Sequence, residues 1–140
     1  MALLGEGVRP DRAGAALEVL RVTVALLILI HGAWRLTMGG VEPFGVWLES
    51  IGFPFGYGWA MAVTIYELIG PALMLARRWT SLVALGHAAI LTLGMILVHL
   101  PAGWFVVGAG RNGVEYSVLL IVALLAIAWA WWPARREGAG

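Results

Sequence analysis

The sequence predicts an all-α integral membrane protein, an antiparallel four-helix bundle with a short amphipathic helix in its first outer loop. Three observations lead there. The 140 residues are 61% hydrophobic and 12% charged, with a mean hydropathy of +0.90; a soluble domain carries about twice that share of charge. Four apolar runs, at about 15–38, 57–76, 80–100 and 113–132, are each long enough to cross a roughly 30 Å hydrocarbon layer as a helix. The arginines are also sided. With four spans, Arg9, Arg12, Arg21, Arg77, Arg78, Arg135 and Arg136 fall on the side of the N-terminus, and only Arg35 and Arg111 fall opposite. Positive charge is retained on the cytoplasmic side. The expectation is therefore a single multi-pass domain over 1–140 in the cell (inner) membrane, with both termini cytoplasmic.

The first run carries the rarest residues. Arg21 and Arg35 are fourteen positions apart, which brings them back to nearly the same helix face, and His31 lies four before Arg35 on that side. Ionisable groups on one stripe of an apolar helix turn toward other protein or a wet cavity. The run is longer than a signal-peptide apolar region and is followed by polar residues without a small-x-small cleavage site, so it is expected to be retained as a span.

The loop that follows has its own pattern. Pro43 suits a first helical position, and Phe44, Trp47, Leu48 and Ile51 recur at i, i+3, i+4 and i+7, with Glu49 opposite and Gly52 as a stop. This predicts a short helix lying on the outer end of the bundle.

The second run holds Glu67 near its middle. A lone carboxylate at that depth has to be paired, protonated or hydrated, and Arg35 and His31 are its candidate partners. Pro71, four residues on, removes the donor to the Glu67 carbonyl and is expected to kink the helix. Arg77, Arg78 and Trp79 leave room only for a tight turn into the third run. That run is rich in small residues (Ala84, Gly86, Ala88, Ala89, Gly94) that let backbones approach in lipid. His87 and His99 lie on it about 120° apart on an α-helix, on different faces. The last loop ends in Asn112-Gly113-Val114-Glu115, which reads locally as a capping box, with Asn112 as N-cap and Glu115 at N3.

Several chemistries are disfavoured. There is no Cys, so thiolate nucleophiles, disulfides and Fe–S ligation are excluded within this chain. A net charge of +1 without a basic aromatic surface argues against nucleic acid. The His and carboxylate spacings lack a metal-ligand pattern, so no metal is expected. A haem held between His31 and a third-span histidine is also disfavoured. The candidate ligand-binding or proton-relay set is His31, Arg35, Glu67, His99 and Glu115, all in the outer half. Arg21, Pro71, Asn112 and Gly113 are expected to serve structure, and no residue is assigned a catalytic role.

Arg21, the His31-Gly32-x-x-Arg35-Leu36 run, Glu67 followed by Gly70 and Pro71, Gly103-Trp104-Phe105 and Asn112-Gly113-x-Glu115 together resemble the DoxX family of small four-span membrane proteins. The resemblance runs from about Arg21 to Leu125. Family members often carry lysine where this chain has Arg35, whose planar fork favours a bidentate pair. The resemblance implies a link to quinone-coupled redox chemistry, including thiosulfate oxidation, and to oxidative-stress complexes. On that footing the expected role is a membrane subunit of a redox system that binds a quinone-like lipid headgroup in an outer-leaflet charged pocket. Its partners would be membrane lipid and a larger redox complex or further copies of itself. The alternative is a non-catalytic subunit whose charges only fix its own fold against a larger complex.

Overall fold

The computed structural model describes residues 10–108 and 110–133. It is a multi-pass, mostly helical membrane protein. Three of its helical segments are long and apolar enough to cross a membrane: Arg12–Thr37, Gly56–Leu75 and Thr80–Ala102. The elements are α1 (Pro10–Thr37), α2 (Val41–Ser50), α3 (Gly56–Leu75), α4 (Thr80–Gly94) and α5 (Glu115–Ala130). A π-helical stretch, Met95–His99, and a short 3₁₀ turn, Leu100–Ala102, prolong α4. The first helix starts earlier than the expected 15. The last is a shorter apolar helix than the predicted 113–132. Arg9, Arg135 and Arg136, which weigh in the sidedness argument, lie outside the described residues.

Helix ends follow local chemistry. After α1 the chain turns at Gly39, with φ +72°, and the Gly40 N–H donates to the Arg35 carbonyl at 2.8 Å. This is the backbone closure that a positive-φ residue past a helix end provides. The same closure ends α2, with Gly52 at φ +96° and Phe53 N–H on the Leu48 carbonyl at 3.0 Å. At the end of α3 the positive-φ position is Arg77, at 55°, and Arg78 N–H reaches the Leu73 carbonyl at 2.8 Å. The α3–α4 connection is as tight as the sequence implies, Ala76 to Trp79.

The loop helix begins at Val41 rather than at Pro43, and its buried residues are Val41, Gly45 and Leu48, with Phe44 and Trp47 half-buried. Ile51, expected on the apolar face, is 41% exposed because it caps the helix. Glu49 has a job that the pattern does not reveal: its Oε1 accepts the N–H of Gly56, the first residue of α3, at 3.0 Å. Gly45 and Gly56 let α2 and α3 cross closely. A Cβ on Gly45 would stand 2.7 Å from the Tyr57 Cα, and one on Gly56 would collide with the Gly45 carbonyl.

The helices associate as α1 with α3 and α4 with α5, with lighter contact between the pairs. The pairs meet in an apolar core formed by Val24, Ala25 and Ile28 of α1, Met74, Val83, Ala84 and Ala88, and Ala123, Leu124, Ile127 and Ala128 of α5. This core lies toward the α3–α4 turn. At the other end, Val41, Leu48 and Ala60 form a second small cluster under Phe44, Trp47 and Phe53. Large apolar side chains such as Val19, Ile30, Ile69, Leu82, Leu119 and Val122 are more than half exposed, which suits a surface solvated by lipid.

Arg21 is 3% exposed, and its surroundings explain that. Nε and Nη2 donate to Glu18 Oε2 at 3.0 and 2.6 Å, and Nη1 donates to the Met74 carbonyl. A guanidinium at the last turn of α3 meets the negative end of that helix. Its face lies 5.7 Å from the centre of a Trp131 ring. Arg21 thus ties α1 to the ends of α3 and α5 and takes no part in pairing Glu67.

Candidate functional site

Between the two helix pairs, on the α2 side of the core, lies a cavity of about 850 Å³. Every helix contributes to it, as do the π stretch and the loop before α5. Its size falls in the range of ligand cavities. The wall is mainly apolar and aromatic. Trp59, Leu93 and Tyr116 line it while more than half exposed, so it reaches the lipid-facing surface.

The charged part of the wall is built by α1 and α3. Gly32 sets the spacing: a Cβ there would lie 2.8 Å from the Glu67 Cβ and 3.3 Å from the Glu67 carbonyl carbon and oxygen. Only a glycine lets α1 lie that close, and the approach brings Arg35, one turn further on, over α3. Arg35 Nη1 donates to Glu67 Oε2 at 2.7 Å and to Thr64 Oγ1 at 3.3 Å. The side chains are 15% and 8% exposed. Thr64, one turn before Glu67, donates its own hydroxyl hydrogen bond to the Ala60 carbonyl at 2.7 Å. The guanidinium carbon of Arg35 also sits 4.8 Å from the centre of the Phe44 ring. That contact joins the α2 helix to the charged pair. Among the described residues, Glu67 Oε1 has no hydrogen-bond partner. The α3 helix runs unbroken through the buried Pro71.

His31, Arg35, Glu67 and His99 all line this cavity, and so do Asn112 and Gly113. Glu115 does not. Its Oε1 accepts the Val106 N–H at 3.1 Å, which pins the preceding loop rather than facing Arg35. The expected capping box is also absent. Val114 is the N-cap and carries no side-chain capping bond, while Asn112 has φ 61°. The orphan N–H groups at the head of α5 go instead to loop carbonyls: Gly113 to Phe105, Val114 to Gly103 and Glu115 to Trp104, at 3.1, 3.1 and 3.2 Å. Folded-back backbone outcompetes a short side chain here because it satisfies several donors at once. Asn112 tolerates the left-handed conformation better than most residues. Its carbonyl accepts a hydrogen bond from His99 Nδ1 at 2.8 Å.

His87 and His99 do share this cavity, although α-helical spacing sets them apart. The π stretch between them turns less per residue and brings His99 round to the cavity side. His87 is 1% exposed, and its Nε2 has no partner among the described residues. It packs at 4.6 Å, centre to centre, on Tyr66, whose hydroxyl donates to the Val83 carbonyl at 3.1 Å. Tyr66 therefore serves the α3–α4 contact, and Tyr116 is the tyrosine on the cavity wall. Thr64 was legible in principle, three positions before Glu67 on the same helix face. The role of His87 was not.

The fit between α3 and His87 yields a prediction. A Cβ at Gly70 would stand 2.7 Å from His87 Nε2 and 3.0 Å from Val83 Cγ1. Gly70→Ala is expected to lower the unfolding free energy by about 1–3 kcal/mol, the usual cost of overpacking. Thermal unfolding in detergent checks it, and a variant as stable as the parent would show that the α3–α4 seam is loose.

Among the described residues no three His, Asp or Glu side chains converge as a metal-binding group. The DoxX family model matches residues 16–100. That match takes in His31, Arg35, Glu67 and His99 and stops before the Asn112-Gly113-x-Glu115 segment. No curated protein and no solved structure matches the chain.

Proposed function

This chain belongs to the DoxX family, whose members are linked to redox-associated membrane systems, and from that premise we propose that it is a membrane subunit of a redox system whose α2-side cavity takes a quinone-like lipid headgroup. The α5 helix serves as the fourth span, and the arginine-rich end faces the cytoplasm. The observation that carries the reading is the Arg35–Glu67 pair on the wall of a largely apolar cavity, with His31 beside it. A flat ring with polar oxygens needs that combination: apolar faces around it and a few convergent donors at its edge.

A bound quinone would supply reversible electron and proton uptake. The chain's own part is to orient and to handle protons. Arg35, clamped by Glu67 and Thr64 and stacked on Phe44, presents a fixed positive charge to a carbonyl oxygen. Glu67 Oε1 and the His31 ring are the groups that exchange a proton with the ligand edge. His99, held on the Asn112 carbonyl, closes the loop side of the cavity.

Purified protein titrated with a short-chain quinone is expected to bind it saturably. Glu67→Gln and Arg35→Ala should each weaken binding by about tenfold or more, the worth of a lost charge-assisted hydrogen bond. Affinity unchanged in both variants would overturn the site. A second reading draws on the same pair: Arg35 is already satisfied by Glu67, Thr64 and Phe44, as a purely structural register device would be. A stoichiometric large partner that co-purifies, and whose activity survives Glu67→Gln while the melting temperature falls, would favour a non-catalytic subunit.

A further inference from the structure

The α3–α4 turn lies at the opposite end of the molecule from the large cavity and takes no part in it. A separate cavity of about 330 Å³ opens there, between the turn and the residues that follow α5, Trp131, Trp132 and Pro133. We propose that it is a phosphate-binding site for the headgroup of an anionic phospholipid.

Four features of this cavity point to that ligand. Thr80 and Ser81, which line it, are 4% and 5% exposed, and neither hydroxyl has a hydrogen-bond partner among the described residues. A buried hydroxyl without a partner is costly, and two adjacent ones on one cavity wall mark a place where an acceptor is expected. The same residues open α4, a helix of 15 residues whose N-cap, Trp79, supplies no side-chain cap. Among the described residues no bond from outside the helix reaches the N–H groups of Thr80, Ser81 and Leu82. A helix start of this kind directs several N–H donors and a partial positive charge at an anion. The two hydroxyls and these N–H groups are the donor set that a tetrahedral oxyanion fills.

Charge agrees. Arg77 lines the cavity with a 65% exposed side chain, and its Nη2 touches Glu18 Oε1 at 3.1 Å. Glu18 also holds Arg21, so one carboxylate faces two guanidiniums and the cluster keeps a net positive charge. Arg78 adjoins it in the turn. The remaining wall separates a lipid from a free ion. Trp79, Trp131 and Trp132 surround the cavity, and Trp79 and Trp132 are 73% and 56% exposed. Indole rings favour the depth at which headgroups lie, and basic residues at a span end attract anionic lipid. Inorganic phosphate offers the same oxygens but gains nothing from the aromatic rim.

The full chain, purified in a neutral detergent, is examined by native mass spectrometry with phosphatidylglycerol, phosphatidylcholine or inorganic phosphate as the probe. Phosphatidylglycerol should be retained at one per chain, about tenfold more tightly than phosphatidylcholine. Thr80→Val with Ser81→Ala should weaken it by about tenfold or more, Arg77→Gln by less, and Thr80→Ser alone should keep it. Because valine matches threonine in shape, helix content and melting temperature should stay near the parent's. Phosphatidylglycerol held equally by the parent and the folded double variant would overturn the site. Saturable binding of inorganic phosphate without lipid would overturn the lipid assignment and make this a free-phosphate site.

Discussion

Glu67→Leu is expected to lower the unfolding free energy by about 3–5 kcal/mol, the cost of stranding a buried charge without its partner. The cause is specific. Arg35 reaches Glu67 at 2.7 Å with both side chains largely out of solvent, and its remaining polar contact, Thr64, is neutral and longer at 3.3 Å. Replacing both members, Arg35→Met with Glu67→Leu, should recover most of the loss, because a matched apolar pair leaves no charge behind. Unfolding in detergent or bilayer measures the four corners of this cycle, and the coupling should exceed about 1 kcal/mol. The parallel cycle of Arg35→Gln with Glu115→Gln should be additive to within about 0.5 kcal/mol. Glu115 holds the Val106 N–H and no arginine. Coupling in the second cycle and none in the first would reverse the pairing. If the pair also orients a ligand, Glu67→Gln will weaken quinone binding more than its stability loss accounts for.

Gly113→Ala should cost about 2–3 kcal/mol, at the upper end of overpacking penalties. A Cβ there would run into the carbonyl group of Trp104 and come within 2.6 Å of the Phe105 oxygen. These are backbone atoms, which cannot swing aside as a side-chain end does. The loop would have to lift off the head of α5, taking with it the carbonyls that satisfy Gly113, Val114 and Glu115. His99 would lose its fixed partner at Asn112. Thermal unfolding together with hydrogen exchange at Val114 and Glu115 checks this. Exchange unchanged at both amides would mean that the loop does not cap the helix.

Much of the architecture was legible in the residues alone. Apolar runs of bilayer length can only be helices, because lipid offers no partner for an open backbone group, so the three long segments fall within a few residues of their predicted bounds. Glu67 and the arginine stripe were equally visible, since an ionisable side chain in an apolar helix must face inward. The Gly52 stop signal acts locally and behaves as local chemistry predicts.

What the residues left open was decided where segments distant in sequence meet. Arg21 and Arg35 share a stripe, and nothing along α1 says which of them reaches Glu67. The close approach at Gly32 sets that register and hands Arg21 to the end of α3. Asn112-Gly113-x-Glu115 satisfies the rule for a capping box, yet the folded-back loop supplies carbonyls that no local pattern foresees. His87 and His99 change relation because a π turn alters the phase between them, and that turn has no signature in hydrophobic periodicity. In each case hydrogen bonding and packing between elements compete with a local preference worth about 1 kcal/mol, and the contacts that satisfy more buried polar groups prevail.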